Sequence, residues 1–353
     1  MTDITFIFYE KGDIYSGGYL YDKKLIDHLR KKGHDVKSYK LENLSYLENI
    51  KQNFSLNILE ELKDNDPDII LQDELCHPSL FKLNDDLNSE IPIISIVHHL
   101  SCAAEREEQK KRMYKHFEKE YLKTLDGAIC SSRSTKGSVT DLVELEDIIH
   151  AYPGKDHLAY QVSSSEKNKT LEKDQLRLLF VGNLLPHKCL DILVESMENL
   201  EDVKLTIIGD RYLDRQYSKK IEDMVEEKGL SSQIDILGYV EKDVLIDNYR
   251  KSHLLVLPSK FEGFGMTIVE GLRFGMPAIV TKRGGPTEIV RDGKEGLHVV
   301  PEDTEDLKDA IQRLDDDRGL LSMMSFNAGK RYHEMPKWKD SMEKINGFLK
   351  EMI

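Results

Sequence analysis

The chain has 353 residues, 39% of them hydrophobic, enough for two domains of ordinary size with cores of their own. Its 64 acidic and 50 basic residues leave a net charge of −14, which argues against a nucleic-acid partner. Four scattered cysteines (Cys76, Cys102, Cys130, Cys189) with no CxxC pair speak for reduced thiols, not a disulfide frame or a zinc site. The opening MTDITFIFYEKGD has neither a basic n-region nor an apolar run of signal-peptide length. No stretch approaches the roughly 18 apolar residues a membrane helix needs. A cytoplasmic protein, at most attached to a membrane surface, is the expectation.

In chain order, Ile4 to Tyr9 reads as a strand, GDIYSGG as a turn, and the run from Tyr19 as a helix stopped by Gly33. Further strands are expected at 68–72, 92–97, 127–132 and 147–152, with helical stretches between most of them. Residues 161–175, QVSSSEKNKTLEKDQ, are polar and read as a linker. The alternation restarts at LRLLFVG and continues through 203–209, 234–240, 253–258 and 277–281. Strands alternating with helices predict parallel sheets covered on both faces, hence an α/β fold of two doubly wound halves. Ligands of such sheets bind beyond the carboxyl ends of the strands, so the chemistry is expected in a cleft between the halves. The expected divisions are 1–160, a linker at 161–175, 176–334, and a C-terminal amphipathic helix at 335–353.

The stretch FEGFGMTIVEG, residues 261–271, runs from a buried strand into a loop and a helix beginning near Gly265. Backbone N–H groups at Phe264, Gly265 and Met266 would project from the helix N-terminus, where an anion is favoured. Gly263 and Gly265 allow close approach to the backbone. Glu262 in the loop and Glu270 in the helix can each accept hydrogen bonds from sugar hydroxyls, which together suggests a nucleotide-sugar clamp. The alternative is ordinary structure, a helix cap at Glu262 and a surface ion pair at Glu270.

SKFEGFGMTIVEGLRFGMPAIVTKRGGPTEIV resembles the donor-binding signature of GT4 retaining glycosyltransferases, with Glu262 and Glu270 meeting the E-x7-E pattern. SGGYLYDKKLIDHLRKKGHDV, IISIVHHL and LLFVGNLLPHKCLDILVESM resemble the family's first loop and helix, its strand-end histidine and its phosphate-binding segment, in that order. The resemblance implies the GT-B fold of two Rossmann-like domains, with the last helix returning to the first domain. It implies that Glu270 holds the ribose and that Glu262 contacts the transferred sugar beside the amides of Phe264 and Gly265. Met266 and Thr267 are expected at the donor too. Lys188 would neutralise the diphosphate, and Gly17 and Gly18 would let the first loop touch it. Asn183 stands where the family usually has Arg, which leaves Lys188 more of the charge to stabilise. Tyr239 and Val240 would line the base pocket, and His98 would orient the sugar.

The activity implied is transfer of a hexose, with retention and without a metal or other cofactor, from a nucleotide-diphosphate sugar to a hydroxyl acceptor, a sugar or lipid-linked sugar. UDP-hexose is favoured, with GDP-mannose next. A GT-B epimerase, a sugar phosphorylase or a donor-binding protein of weak activity shares the same features. The acidic clusters at 64–66 and 315–317 read as solvated charge, not a metal-binding DxD. The stretch EREEQKKRMYKHFEKEYLK reads as an exposed helix laced with ion pairs, or as a face for a lipid surface.

Overall fold

The computed structural model describes residues 1–10, 16–64, 66–87, 91–103, 108–158, 160 and 175–353. All but the last residue of the expected linker therefore lie outside the described residues. The chain divides into two compact units, Met1–Gly154 with Pro336–Ile353, and Lys155–Met335. Residues 155–160, expected with the first half, thus belong to the second, and the C-terminal return begins at Pro336.

The first unit is built on a parallel sheet of six strands: β1 Asp3–Tyr9, β2 Asp35–Leu41, β3 Ile69–Asp73, β4 Ile93–Val97, β5 Gly127–Cys130 and β6 Asp147–His150, in the order β2-β1-β3-β4-β5-β6. β3, β4 and β5 are buried along their whole length, as strands covered by helices on both faces must be. β2 was not foreseen: it is an edge strand, DVKSYKL, whose charged residues alternate with the buried Val36 and Leu41. The helix Gly17–Lys31 begins at Ser16, whose side chain accepts from the Tyr19 amide, and Gly33 follows it at φ 87°. The C-terminal helix Trp338–Glu351 belongs to this unit. It buries Trp338, Ile345 and Leu349, and Trp338 meets the ring of Tyr21 edge-on at 5.7 Å.

The second unit carries β7 Leu176–Val181, β8 Val203–Ile208, β9 Ile234–Gly238, β10 Leu254–Leu257, β11 Ala278–Thr281 and β12 Gly296–Val299. The order is β12-β11-β10-β7-β8-β9, again with all pairings parallel. Read from β9, that is the 3-2-1-4-5-6 arrangement of a Rossmann sheet. β12, absent from the sequence reading, is the short edge strand GLHV. The strand order reverses between β7 and β10, so the crevice expected of this architecture lies at their carboxyl ends.

The acidic cluster at 315–317 is structural, and that at 64–66 lies partly outside the described residues. Arg318 pairs with Asp315, and the Asp317 side chain caps the helix Arg318–Glu334. Residues Glu108–Leu122 form a helix whose Glu118, Tyr121 and Leu122 are buried, with a Lys123–Glu120 ion pair at 2.7 Å on its exposed side. Among the described residues no helix is long and apolar enough to cross a membrane.

Candidate functional site

In the second unit the loops after β7 and β10 carry the residues the sequence singled out. β7 ends at Val181, and Gly182, Asn183 and a short 3-10 turn, Pro186–Lys188, follow. β10 ends at Leu257 and leads through Glu262 to the helix Met266–Arg273. The Lys260 amide donates to the His187 carbonyl at 2.9 Å, tying the two loops together. Across that tie Lys188 Nζ donates to Glu262 Oε2, and both side chains are largely shielded, at 15% and 20% exposure. The cation and the loop carboxylate foreseen separately are therefore one ion pair at the point where the strand order reverses.

Glu262 is not the N-cap residue of the helix. The N-cap is Gly265, at φ 97°, with no side-chain bond to the first turn, and no acidic residue lies in that turn. The first amides of a helix have no acceptor within it and carry the positive end of its dipole. The Met266–Arg273 terminus therefore keeps its attraction for an anion. Behind the loop, the Gly285 amide donates to the Glu262 carbonyl at 3.0 Å. A Cβ on Gly285 would stand 2.2 Å from the Gly263 oxygen, and one on Gly284 2.4 Å from the Glu262 oxygen. The GGPTE segment is thus a support for the Glu262 loop, and only glycine permits that approach.

Glu270 is not a surface ion pair. Its Oε1 lies 2.5 Å from His157 Nε2, and its Oε2 accepts from the Tyr249 hydroxyl at 2.5 Å. Its side chain is 11% exposed. Burial, then the neighbouring Glu270 charge, raises the Tyr249 phenol well above its ordinary range, so it stays a hydrogen-bond donor. Sequence reasoning missed both partners: Tyr249 reads as a core residue of the helix Lys242–Lys251, and His157 sits in an unpatterned segment beside the linker. Asn183 Oδ1 accepts from the Asp210 amide at 3.3 Å, so this side chain braces the turn after β8. Tyr239, one residue past β9, is 65% exposed, and Val240 follows it. Phe264 is 5% exposed and contributes packing in addition to its amide, while Thr267 stands in the first helical turn.

In the first unit His98 is the first residue beyond β4, and its Nε2 is 2.9 Å from Asp22 Oδ1 on the first helix. A Cβ on Gly18 would stand 2.8 Å from the His98 ring, so glycine there lets ring and helix start meet; Gly17 opens that helix. The ring lies edge-on to Tyr21 at 5.2 Å. Ligand atoms of Asp22, Asp73 and His98 come within 4.8 Å of one another, a set of two carboxylates and an imidazole whose donor types suit a divalent transition-metal ion better than calcium or magnesium. Asp22 and Asp73 also border a cavity of about 250 Å³ that runs beside Tyr19, Phe8 and Lys23. The four cysteines are all free and buried, and burial pushes Cys130 up to about 12 and Cys189 to about 11, so none is poised as a nucleophile.

Residues 162–331 match the family described as Glycosyl transferases group 1. The chain is 36% identical over 174 residues to an uncharacterized glycosyltransferase of Methanocaldococcus jannaschii, covering 49% of this chain and 48% of that protein. It is 28% identical over 194 residues to the D-inositol 3-phosphate glycosyltransferase of Mycobacteroides abscessus, covering 51% and 43%. The chain thus spans about half the length of such curated relatives. In structure it resembles sucrose-phosphate synthase from Thermosynechococcus elongatus (TM-score 0.84, 18% identity, 100% and 99% coverage) and Anabaena HepE in complex with UDP-glucose (TM-score 0.76, 17% identity, 99% and 100% coverage). Its fold is accordingly GT-B, and the match to the group 1 glycosyl transferase model falls within its second unit.

Proposed function

We propose that this chain is a retaining glycosyltransferase that moves a hexose from a nucleotide-diphosphate sugar to a hydroxyl acceptor. The observation that carries the proposal is the Lys188–Glu262 pair, set at the strand-order reversal beside the N-terminus of the helix Met266–Arg273, whose N-cap is Gly265. Departure of a nucleoside diphosphate builds negative charge on phosphate oxygens. Lys188 and the first amides of Met266–Arg273 are preorganised to stabilise it, the largest single contribution expected in such a reaction. With the diphosphate bound, Lys188 turns to it and releases Glu262, which then accepts hydrogen bonds from the sugar. Glu270 accepts from the ribose, and Tyr239 and Val240 flank the base. His98, held by Asp22, orients the sugar. The acceptor attacks on the face the diphosphate leaves, and a phosphate oxygen takes its proton. Lys188 supplies the cation of the step, so no resident metal is called for. Free thiols and the acidic charge balance suit the cytoplasm.

The UDP-glucose in the HepE structure supports UDP as the first nucleotide to test, with GDP-mannose next. A thermal-shift screen of UDP, GDP, ADP and their sugars identifies the donor: a ligand at a hundred times its Kd stabilises the native state by about 2.7 kcal/mol. Incubation of that donor with and without sugar acceptors, followed by NMR of the anomeric proton, tests the chemistry. The expected product needs an acceptor and keeps the donor's anomeric configuration. Isomerised sugar from donor alone would replace transfer with epimerisation.

A further inference from the structure

Three segments remote in sequence converge on Glu270. His157 comes from the stretch that enters the second unit, Tyr249 from the helix Lys242–Lys251, and Glu270 from the helix Met266–Arg273. His157 takes one carboxylate oxygen and Tyr249 the other, each at 2.5 Å. An ionised carboxylate has about four lone-pair sites, two on each oxygen. The two donors use one site per oxygen and leave one on each, a two-pronged acceptor that suits a vicinal diol. Tyr249 is 0% exposed, and its ring lies parallel to Phe274, 5.4 Å between centroids and 4° between planes, so the hydroxyl has little freedom to move away. His157 is 9% exposed.

We propose that His157 and Tyr249 are positioning residues that lock the Glu270 carboxylate in the orientation that receives the two ribose hydroxyls. This rests on the reading of Glu270 as the ribose acceptor. Neither residue touches the nucleotide. Both act by removing the rotamer freedom that a long acidic side chain would otherwise lose on binding.

The test uses the full chain and calorimetric titration of UDP and of 2′,3′-dideoxy-UDP, with GDP and its dideoxy form run alongside. The wild type is expected to prefer the ribose form by at least about tenfold, the worth of one charge-assisted hydrogen bond. Tyr249→Phe, which keeps the ring and its stacking, and His157→Ala should each lose most of that preference by weakening UDP while dideoxy-UDP binding holds within about twofold. His157→Gln, which retains an N–H donor, should recover part of it. A purely packing role would lower the melting temperature or weaken both ligands together, and either pattern with the preference intact overturns the proposal. A wild type that binds neither nucleotide, or binds both sugar forms equally, removes the ribose reading itself and this inference with it.

Discussion

At the scale of single residues, the two acids of the E-x7-E pattern have different neighbours and should fail differently. Glu262 shares its charge with Lys188, whereas Glu270 is held by a phenol and an imidazole. Glu262→Gln keeps the side chain's shape and removes its charge, leaving Lys188 without its resting partner. It should lower turnover while free nucleoside diphosphate binds as well as before or better. Glu270→Gln should weaken the bare diphosphate by roughly 1.5–3 kcal/mol for each charge-assisted hydrogen bond lost. Steady-state kinetics at saturating acceptor, beside titrations of the diphosphate, separate the two, because contacts strengthened in the transition state appear in kcat. Equal loss of diphosphate affinity in both variants would contradict separate roles. Both acids could be picked out from local context alone, glycine before and an apolar helix after. Their pairings could not, since Lys188 and His157 lie 74 and 113 residues away.

At the scale of elements, the site depends on one loop resting on another. A methyl group on Gly285 would meet the Gly263 carbonyl at 2.2 Å, which no side-chain adjustment relieves. Gly285→Ala must therefore push the Glu262 loop outward. It should cost about 1–3 kcal/mol of stability, the range for forced overpacking, and depress turnover by more than the stability loss explains. Gly137→Ala is the matched control. It sits inside the helix Arg133–Thr140, and nothing lies within 4 Å of the added carbon. It should raise stability by up to about 1 kcal/mol through helix propensity and leave activity alone. Melting curves and initial rates on the two variants decide the matter; an active, unperturbed Gly285→Ala would mean that the GGPTE segment does not support the loop. The sequence marked this glycine pair only through family likeness, because its function is a close approach between distant backbones.

At the scale of the whole molecule, stability should depend on pH through a buried cluster in the first unit. Glu118 Oε1 and Oε2 accept from the Ser101 and Cys102 amides at 2.6 and 2.9 Å, so the Glu118 helix holds the loop just beyond His98. Burial first, then the facing Glu74 carboxyl, raises Glu118 from 4.5 to about 8. His77 Nδ1 lies 3.1 Å from Glu74, and its Nε2 meets the Tyr46 hydroxyl at 3.0 Å. Between those two pKa values the native state keeps a proton that the unfolded chain has released. The stabilisation is therefore complete below about pH 4.5 and fades as pH rises through about 8. Trp338, the chain's one tryptophan, is buried in this unit and reports its melting by fluorescence. The wild-type melting temperature of this transition should fall between pH 5 and pH 8. Glu118→Gln should flatten that slope while lowering stability throughout, by about 1–3 kcal/mol for the amide left without its acceptor. An unchanged slope would place the proton elsewhere.

Short-range pattern determined much of this protein. Apolar runs of strand length, helical periodicity between them and glycine stops specified two α/β halves, and the loops bearing Lys188 and Glu262 and the helix bearing Glu270 were legible because strand, loop and helix follow one another within a few residues. Edge strands β2 and β12 escaped because one mixes charge into its alternation and the other, GLHV, sets only two aliphatic residues beside a glycine and a histidine. Only the tertiary structure decided the strand orders, the division at Gly154, and the pairings of Lys188 with Glu262 and of His157 and Tyr249 with Glu270. The physical reason is common to all of them. Each depends on contacts that close loops of tens to hundreds of residues, and such contacts are selected by how sheets and helices pack together, which leaves no mark on local periodicity.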